Sequence, residues 1–298
     1  MPAKVYFSPA PTKAAELFTA AGLDSLIISG EEVALKIHFG EPGNTAYLKP
    51  AMVNGIRDKV NALGGQPFFT DCNCLYSGPR QLTANHLKVA QEHGFAPVRI
   101  PEEDDQAAVE VNLKHFKTVL LGGTISRAKT IIALTHFKGH ELSGFGGTLK
   151  NLGMGSGSRR GKLKMHQECQ GCPQVKTCRR NITLEACWVG SPAAVQEKFV
   201  EYAYGAVNGK KAGHITFVTD VSPACDCYPK NDPPIVPDIG VLASLDPVAL
   251  DQAAVDLVNQ AAGQDIFKTI YPDVDWAVQL QYAEEIGLGS RKYELIRL

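Results

Sequence analysis

Short runs of apolar residues alternate along the chain with longer stretches in which apolar residues recur every three or four positions. The short runs predict β-strands, and the longer stretches predict amphipathic helices. This alternation is typical of an α/β protein with a mostly parallel, Rossmann-like sheet and helices on both faces. The predicted strands are Val33–His38, Pro67–Asp71, Thr118–Leu121, Thr130–Thr135, His214–Asp220 and Ile239–Ala243.

Three helices are predicted from their boundaries as well as from their period. Glycines follow Lys49–Leu63 and Gln81–His93, as expected where a helix ends in a glycine cap. A third helix is expected to run from Asp246 to about Ala262. Asp246 is placed to cap its first turn, and Pro247 suits the first helical position.

Two stretches interrupt the α/β pattern. The segment 139–157 contains seven glycines, and the segment 159–187 contains four cysteines with few apolar residues. We interpret the second segment as a small excursion. The predicted organisation is therefore a first part of the α/β core at residues 1–158, a cysteine-rich insert at 159–190, and a second part of the core at 191–298.

Composition and charge narrow the class of protein. The chain has 298 residues, of which 44% are hydrophobic and 20% charged, so a disordered, collagen-like or coiled-coil chain is excluded. A net charge of -1 argues against nucleic acid as a partner. There is no apolar run of about 18 residues and no secretory pattern at the start, so we expect a cytoplasmic protein with no membrane partner.

Eight cysteines in a reducing compartment suggest metal ligands rather than disulfides. Four thiolates are enough for a tetrahedral zinc site or an iron–sulfur cluster. The spacing follows neither the usual ferredoxin pattern nor that of a zinc ribbon, so both metals stay open, with unligated thiols as the alternative. The predicted ligands are Cys169, Cys172, Cys178 and Cys187.

A second group of cysteines lies in two pairs far apart in the sequence, Cys72 with Cys74 and Cys225 with Cys227. Only the fold can bring the two pairs together. A shared metal, a redox disulfide and unlinked structural thiols are the three interpretations.

Chemically reactive side chains are expected at the carboxyl ends of the predicted strands, where ligands bind in open α/β sheets. We predict that Lys36, His38, Lys138 and His140 orient or protonate a small anionic ligand. His136 is predicted to approach the other histidines and to serve as a further metal ligand. The alternative is that each histidine separately caps its strand.

The glycine-rich segment 144–155 matches neither the Walker nor the dinucleotide-binding pattern. Glycines nevertheless allow backbone N–H groups to approach an anion closely, and a lysine adds positive charge. We predict a loop that binds a phosphate-bearing cofactor or a carboxylate, with a tight surface loop as the alternative. Its predicted binding residues are Gly144, Gly146, Gly147, Lys150 and Asn151.

Several motifs together resemble one protein family. They are His136–His140, Gly144–Gly155, Lys36–Glu41, Thr70–Tyr76, Cys225–Cys227, Pro234–Gly240 and Asp246–Gln252. The combination resembles the family called domain of unknown function 362, whose members are often described as uncharacterised iron–sulfur proteins. The resemblance implies no known reaction.

This sequence departs from the family pattern at two places. Many relatives carry a ferredoxin-like insert with two 4Fe-4S motifs after the residue that corresponds to His166, where this chain has the four-cysteine segment. Cys72 and Cys74 stand where similar proteins are expected to have threonine.

The leading hypothesis from sequence is a metal-binding redox protein, an oxidoreductase with an iron–sulfur cluster or zinc. It would bind a small anionic ligand at the sheet edge and exchange electrons with a redox partner protein. One alternative is a non-redox, metal-dependent lyase or isomerase with a structural zinc clip. The other is a non-catalytic electron carrier or ligand-binding module.

Overall fold

A computed structural model describes residues 2–170, 172–178 and 186–298. The strands are β1 Ala3–Ser8, β2 Glu32–Lys36, β3 Gln66–Thr70, β4 Val98–Arg99, β5 Gln106–Glu110, β6 Thr118–Gly122, β7 Thr130–His136, β8 Lys138–His140, β9 Gly144–Gly146, β10 Lys211–Val218, β11 Gly240–Ser244 and β12 Tyr293–Arg297. The α-helices are α1 Ala14–Ala20, α2 Pro50–Ala62, α3 Thr83–Glu92, α4 Gly123–Arg127, α5 Thr148–Ser156, α6 Arg159–His166, α7 Pro192–Val207, α8 Pro247–Ala262, α9 Ile266–Ile270 and α10 Ala277–Glu285.

The main sheet has eight strands in the order β12-β1-β11-β10-β7-β2-β3-β4. Strand β11 runs antiparallel to both of its neighbours, and the other adjacent pairs are parallel. The chain moves outward from β2 to β3 and β4 on one side, and from β7 to β10 and β11 on the other. The connections therefore reverse direction between β2 and β7, which is where ligands bind in open α/β sheets.

Helices cover both faces of this sheet because the strand residues alternate between the faces. In β7, Ile132 and Leu134 pack with apolar residues of α1 and α2. The intervening Ile131 and Ala133 pack on the opposite face with residues of α5, α7 and α8. The predicted α/β architecture, a mostly parallel sheet with helices on both faces, is confirmed.

The local predictions are largely confirmed, including the cap of α8. The Asp246 side chain accepts hydrogen bonds from the backbone of Val248 and Ala249, and Gly263 ends the helix in the left-handed conformation. The predicted strand Thr118–Leu121 exists, but it pairs with β5 in a separate two-stranded sheet. Pairing depends on residues distant in sequence, so the local pattern did not show this.

The expectation of a glycine-rich loop is wrong, because Gly144–Gly146 forms strand β9 and Thr148–Ser156 forms helix α5. The glycines serve close packing instead. A Cβ on Gly153 would lie 1.9 Å from the backbone oxygen of Phe199 in α7, so only glycine lets the two helices approach so closely.

The predicted cysteine-rich insert starts within the packed structure. Helix α6 contacts α7 and β6. The chain returns where the Gly190 amide donates to the His166 carbonyl oxygen at 2.8 Å. Positions 171 and 179–185 of the predicted insert lie outside the described residues. Among the described residues, no helix is both long enough and apolar enough to span a membrane.

Candidate functional site

A cavity of about 670 Å³ lies at the carboxyl edge of the main sheet. Segments that follow β2, β3, β7 and β10 meet there, together with helices α5 and α6. The chemically reactive residues of its lining are His38, Glu41, Asp71, Cys72, Cys74, Tyr76, Arg80, Lys138, His140, Glu141, Lys150, Asn151, Lys162, His166, Cys225 and Cys227. Its volume suits a small-molecule ligand.

Most of the residues predicted for the site line this cavity. They are His38, Lys138, His140, Gly146, Gly147, Lys150 and Asn151. Three predicted residues, Lys36, His136 and Gly144, are absent from the lining. Gly144 instead packs against Trp276, whose Cβ would lie 2.6 Å from a Cβ at Gly144.

Lys36 is fully buried next to the cavity, and its ammonium group is engaged by neighbouring side chains. Its Nζ lies 2.9 Å from Asp71 Oδ1 and donates to Asn151 Oδ1 at 2.8 Å. Burial lowers the pKa of Lys36, and the nearby Asp71 carboxylate opposes that effect. The arrangement gives Lys36 a positioning role within the wall, where it fixes Asp71 and Asn151.

Asn151 joins helix α5 to the reversal point of the sheet. Its amide nitrogen donates to the Leu134 carbonyl oxygen at 3.1 Å and to Thr135 Oγ1 at 3.0 Å. Both acceptors belong to β7. The Asn151 side-chain oxygen accepts from Lys36, and its nitrogen donates to β7. These contacts hold helix α5 at the cavity, so the neighbouring Lys150 is held there as well.

His136 is buried behind the cavity and does not join the other histidines. Its Nδ1 lies 2.8 Å from Asp226 Oδ2, and its Nε2 lies 2.8 Å from the Thr219 carbonyl oxygen. Each ring nitrogen faces an oxygen acceptor, so neither offers a lone pair to a metal ion. His136 therefore anchors the loop after β10 rather than providing a metal ligand.

Three lysines bring positive charge to the cavity. Lys138 is partly neutralised, because its Nζ lies 3.3 Å from Asp226 Oδ2. Lys150 and Lys162 form no ion pair with any carboxylate of the described residues. Lys162 donates to the Gly157 carbonyl oxygen at 2.7 Å, and Lys150 donates to Cys225 Sγ at 3.5 Å. Burial opposes the charge of Lys150, yet Cys225 and Cys227 raise its pKa.

The cavity histidines are held in the neutral form. Burial is the largest cause of the lowered pKa at His38 and His140, and nearby cations lower each pKa further. The pKa of His166 falls to about 3, first through burial and then through Lys150. His38 Nδ1 accepts the Gly40 amide at 3.1 Å, which leaves the proton of the neutral ring on Nε2.

One wall of the cavity is a hydrogen-bonded cluster that the sequence did not reveal. Arg80 Nε donates to Glu41 Oε2 at 2.7 Å, and the Tyr76 hydroxyl donates to the same oxygen at 3.1 Å. Arg80 also contacts the Tyr76 hydroxyl and lies 3.6 Å from Asp71. The carboxylates of Glu41 and Asp71 balance the charge of Arg80, whose Nη1 nevertheless has no hydrogen-bond partner among the described residues. Arg80 therefore shapes the wall of the cavity.

The two separate cysteine pairs come together at this cavity. Burial raises the pKa of Cys72 to about 11 and also raises the pKa of Cys74. Cys225 differs, because a hydrogen bond from the Cys227 thiol and the charge of Lys150 hold its pKa well below the usual value. The cavity thus contains one thiol favoured as a thiolate and others that stay protonated.

The N-terminus of α5 is not available to an anionic ligand. The Asp251 carboxylate of α8 accepts the backbone amides of Thr148 at 2.6 Å and of Leu149 at 2.8 Å. Two of the free donors at the start of this helix are therefore already satisfied by a side chain. Any anion in the cavity meets lysine and histidine side chains rather than these backbone groups.

The predicted metal ligands Cys169, Cys172, Cys178 and Cys187 line a second, much smaller cavity of about 20 Å³. This space has room for one ion or water molecule but not for a four-iron cluster. Across residues 2–170, 172–178 and 186–298, no three or more His, Cys, Asp or Glu side chains form a group that could hold a metal ion. The sulfur atoms share one cavity without forming a closed site.

The family model for a domain of unknown function (DUF362) matches residues 33–256. The chain belongs to this family. No curated protein matches the sequence. Several solved structures are similar in fold. One is the lactate racemase apoprotein from Thermoanaerobacterium thermosaccharolyticum, with 12% identity, a TM-score of 0.49, and coverage of 87% of this chain and 57% of that one. Another is a Thermotoga maritima protein with 13% identity, a TM-score of 0.42, and coverage of 70% and 50%.

Sequence reasoning missed several residues of the site in this DUF362 protein. The positions of Lys162 and His166 could have been predicted, because a spacing of four on a helix places both side chains on one face. No sequence pattern indicated the roles of Arg80, Asp226 and Asp251. Their partners lie far away in sequence, so only the fold shows what they do.

Proposed function

We propose that the large cavity binds a small anionic ligand through Lys150 and Lys162, with Lys138 and the neutral histidines as further donors. The observation that carries the proposal is the presence of two lysines in one cavity without an ion-paired carboxylate among the described residues. A partly desolvated ammonium group attracts an anion more strongly than one in bulk water. Phosphate and carboxylate are the groups with matching charge.

Neutral imidazoles strengthen this proposal in a specific way. A neutral His38 with its proton on Nε2 donates to an oxyanion without the competing repulsion of a further positive charge on the already cationic wall. The lowered pKa values make these rings poor general bases at neutral pH. Their proposed task is therefore to orient the ligand.

The test is binding of inorganic phosphate, pyrophosphate and succinate, measured by calorimetry at low ionic strength. Lys150→Met and Lys162→Met should each weaken the affinity for the tightest anion about tenfold or more, because a hydrogen bond to a charged group contributes roughly 1.5–3 kcal/mol. Lys129→Met, with a side chain 78% exposed on another part of the surface, is the matched control and should bind normally. Unchanged affinity in both cavity variants would contradict the proposal.

We also propose that Cys169, Cys172, Cys178 and Cys187 bind one metal ion. Their shared small cavity supports this. The four thiols are not arranged as a ligand group in the described residues, so binding would draw the sulfur atoms together around the ion. The size of the cavity favours a single ion such as zinc over a cluster. Neighbours of these cysteines, His166 and Trp188, line the large cavity, so the two sites would adjoin. When bound, the ion would hold the four cysteines together, and iron in this place would supply electron-transfer chemistry next to the large cavity.

Elemental analysis and an absorption spectrum of protein purified without oxygen test the metal. We expect close to one equivalent of zinc or iron, lost in the Cys169→Ser and Cys172→Ser double variant. Visible charge-transfer bands would identify iron, while a colourless protein with zinc would favour the structural clip. Protein that is purified without oxygen, contains neither zinc nor iron and has all four thiols open to alkylation would overturn the proposal.

A further inference from the structure

We propose that Cys225 and Cys227 form a dithiol that reduces a small, anionic, low-molecular-weight disulfide bound in the large cavity. The two cysteines are separated by one residue, and both side chains line the cavity. Neither is joined in a disulfide. The proposal depends on the anion-binding function only for the charge of the preferred disulfide, since the thiol chemistry itself requires no anion.

A backbone turn keeps the two cysteines close to each other. The Tyr228 amide donates to the Cys225 carbonyl oxygen at 3.1 Å, which closes a turn around residues 226 and 227. The Cα atoms of two residues that are two positions apart are separated by at most about 7 Å, and a turn shortens that distance. A bond between the two sulfur atoms is therefore within reach of this segment.

Buried contacts fix the turn that carries Cys225 and Cys227. Asp226, between the two cysteines, is fully buried and binds His136 and Lys138 through its carboxylate. Its carbonyl oxygen accepts the Glu41 amide at 3.1 Å. Before the turn, a Cβ at Gly139 would lie 2.0 Å from the Pro223 carbonyl oxygen, so the loop is packed tightly against β8. Both thiols are therefore fixed at the cavity.

The two thiols have different roles. The neighbouring Cys227 thiol and the charge of Lys150, whose Nζ donates to Cys225 Sγ at 3.5 Å, hold the pKa of Cys225 well below its usual value and so favour a thiolate. Cys227 is more exposed than Cys225 and is held as a thiol. This is the arrangement of an attacking thiolate beside a resolving thiol.

The reaction balances as a thiol–disulfide exchange. The Cys225 thiolate attacks one sulfur of the disulfide, the sulfur–sulfur bond breaks, and the first half leaves as a thiolate that takes a proton from solvent. Cys227 then loses its proton and attacks the Cys225 sulfur of the mixed disulfide, which releases the second half as a thiolate. Two electrons pass from the protein dithiol to the bound disulfide, and a Cys225–Cys227 disulfide remains.

The cations of the cavity define the substrate class. Lys150 and Lys162 attract a disulfide whose two halves carry carboxylates, and they also stabilise the departing thiolate. Dithiodipropionate is a suitable probe of this class. Hydroxyethyl disulfide is its neutral counterpart and tests the thiol chemistry independently of anion binding.

The experiment exposes the fully reduced chain, freed of reductant, to each disulfide and follows the products by intact and peptide mass spectrometry. The wild type should lose two hydrogens and show a Cys225–Cys227 link. Cys227→Ser should instead accumulate a mixed disulfide on Cys225, and Cys225→Ser should form neither product. Lys129→Met, a change at a 78% exposed side chain outside the cavity lining, should react as the wild type does.

Rates supply the second readout. Lys150→Met should slow the reaction of Cys225 with neutral hydroxyethyl disulfide severalfold, because loss of the ammonium group raises the pKa of Cys225 and lowers its thiolate fraction. Dithiodipropionate should react roughly tenfold faster than the neutral probe at low salt, and this preference should shrink at high salt. Equal rates at low salt would overturn the anionic class of substrate.

The reaction with neutral hydroxyethyl disulfide tests the dithiol independently of the charge of the substrate. If the wild type forms no Cys225–Cys227 link, or if the Cys227→Ser adduct lies on another cysteine, the proposal is overturned. Phosphate binding by Cys225→Ser, measured in parallel, shows that this variant is folded. In the wild type, retained phosphate affinity together with absent exchange would reject the dithiol and leave the proposed anion site in place.

Discussion

The His136 imidazole and the Asp226 carboxylate meet at 2.8 Å, and both side chains are buried. This contact joins the end of β7 to the loop after β10, the loop that carries Cys225 and Cys227. Burial alone would raise the pKa of Asp226, but His136 and Lys138 outweigh it and lower the pKa. A histidine predicted from sequence as a metal ligand therefore serves to position the cysteines.

Asp226→Asn tests this relationship. The substitution leaves His136 and Lys138 without their acidic partner, so we expect a loss of about 3 kcal/mol in the free energy of unfolding. The thiol of Cys225 should also become less reactive toward iodoacetamide, because the turn that places Cys225 beside Lys150 loosens. Asp232→Asn, an exposed change in the same loop, is the control and should shift stability by less than about 0.5 kcal/mol. Equal stability of the two variants would contradict the role given to Asp226.

Close packing of α5 against α7 leads to a prediction about two helical glycines. Gly153→Ala would place a Cβ 1.9 Å from the Phe199 oxygen, so we expect destabilisation of roughly 1–3 kcal/mol. Gly55→Ala in α2 is the matched control, since its Cβ would only meet Ala15 at an ordinary 3.6 Å. That variant should be stabilised by up to about 1 kcal/mol through better helix propensity. Chemical denaturation measures both, and the same sign for the two changes would refute the argument.

The sequence predicted the position of the site better than its contents. Continuous apolar runs revealed β2, β3, β7 and β10, and knowledge of where those strands end was enough to bring His38, Lys138 and His140 to one edge. The conformation of the glycine-rich segment was not predictable, because glycine permits both a loop and a closely packed helix. Whether a glycine faces a ligand or a neighbouring backbone depends on residues such as Phe199, which lies 46 positions after Gly153 in the sequence.

Residue roles were harder to predict than residue locations, as Lys36 and His38 show. Both were assigned to the ligand from their shared spacing at the end of β2. The structure places His38 on the cavity wall but buries Lys36 against Asp71 and Asn151. Lys36 is buried because it pairs with Asp71, which lies 35 positions away along the chain. No local sequence pattern indicates this ion pair.

Lys36→Met tests the positioning role of this lysine. Removal of one partner from a buried ion pair is expected to cost about 3–5 kcal/mol, because Asp71 stays buried with less compensation. The double variant with Asp71→Asn should recover part of this loss. Phosphate affinity, measured where the protein is fully folded, should change far less than in Lys150→Met. A stable Lys36→Met protein that has lost phosphate binding would instead assign Lys36 to the ligand.

Buried neutral histidines predict how stability depends on pH. Burial is the largest cause that lowers the pKa of His86, His166 and His214 from 6.5 to about 3. Between these values the unfolded chain binds protons that the folded chain does not, so the free energy of unfolding must fall as the pH decreases below 6.5. This stability is fully present above pH 6.5 and is progressively lost toward pH 3.

His214 isolates the effect, because it lies in β10 away from the cavity and burial is the one cause of its shift. One such group contributes up to about 1.4 kcal/mol per pH unit within this range. His214→Leu should therefore show a shallower loss of stability on acidification than the wild type, when both are measured by urea denaturation from pH 8 downward. Above pH 7 the two pH profiles should run parallel, since both forms of residue 214 are then uncharged. An identical slope in the two proteins at acid pH would show that His214 takes up its proton in the folded state as readily as in the unfolded chain.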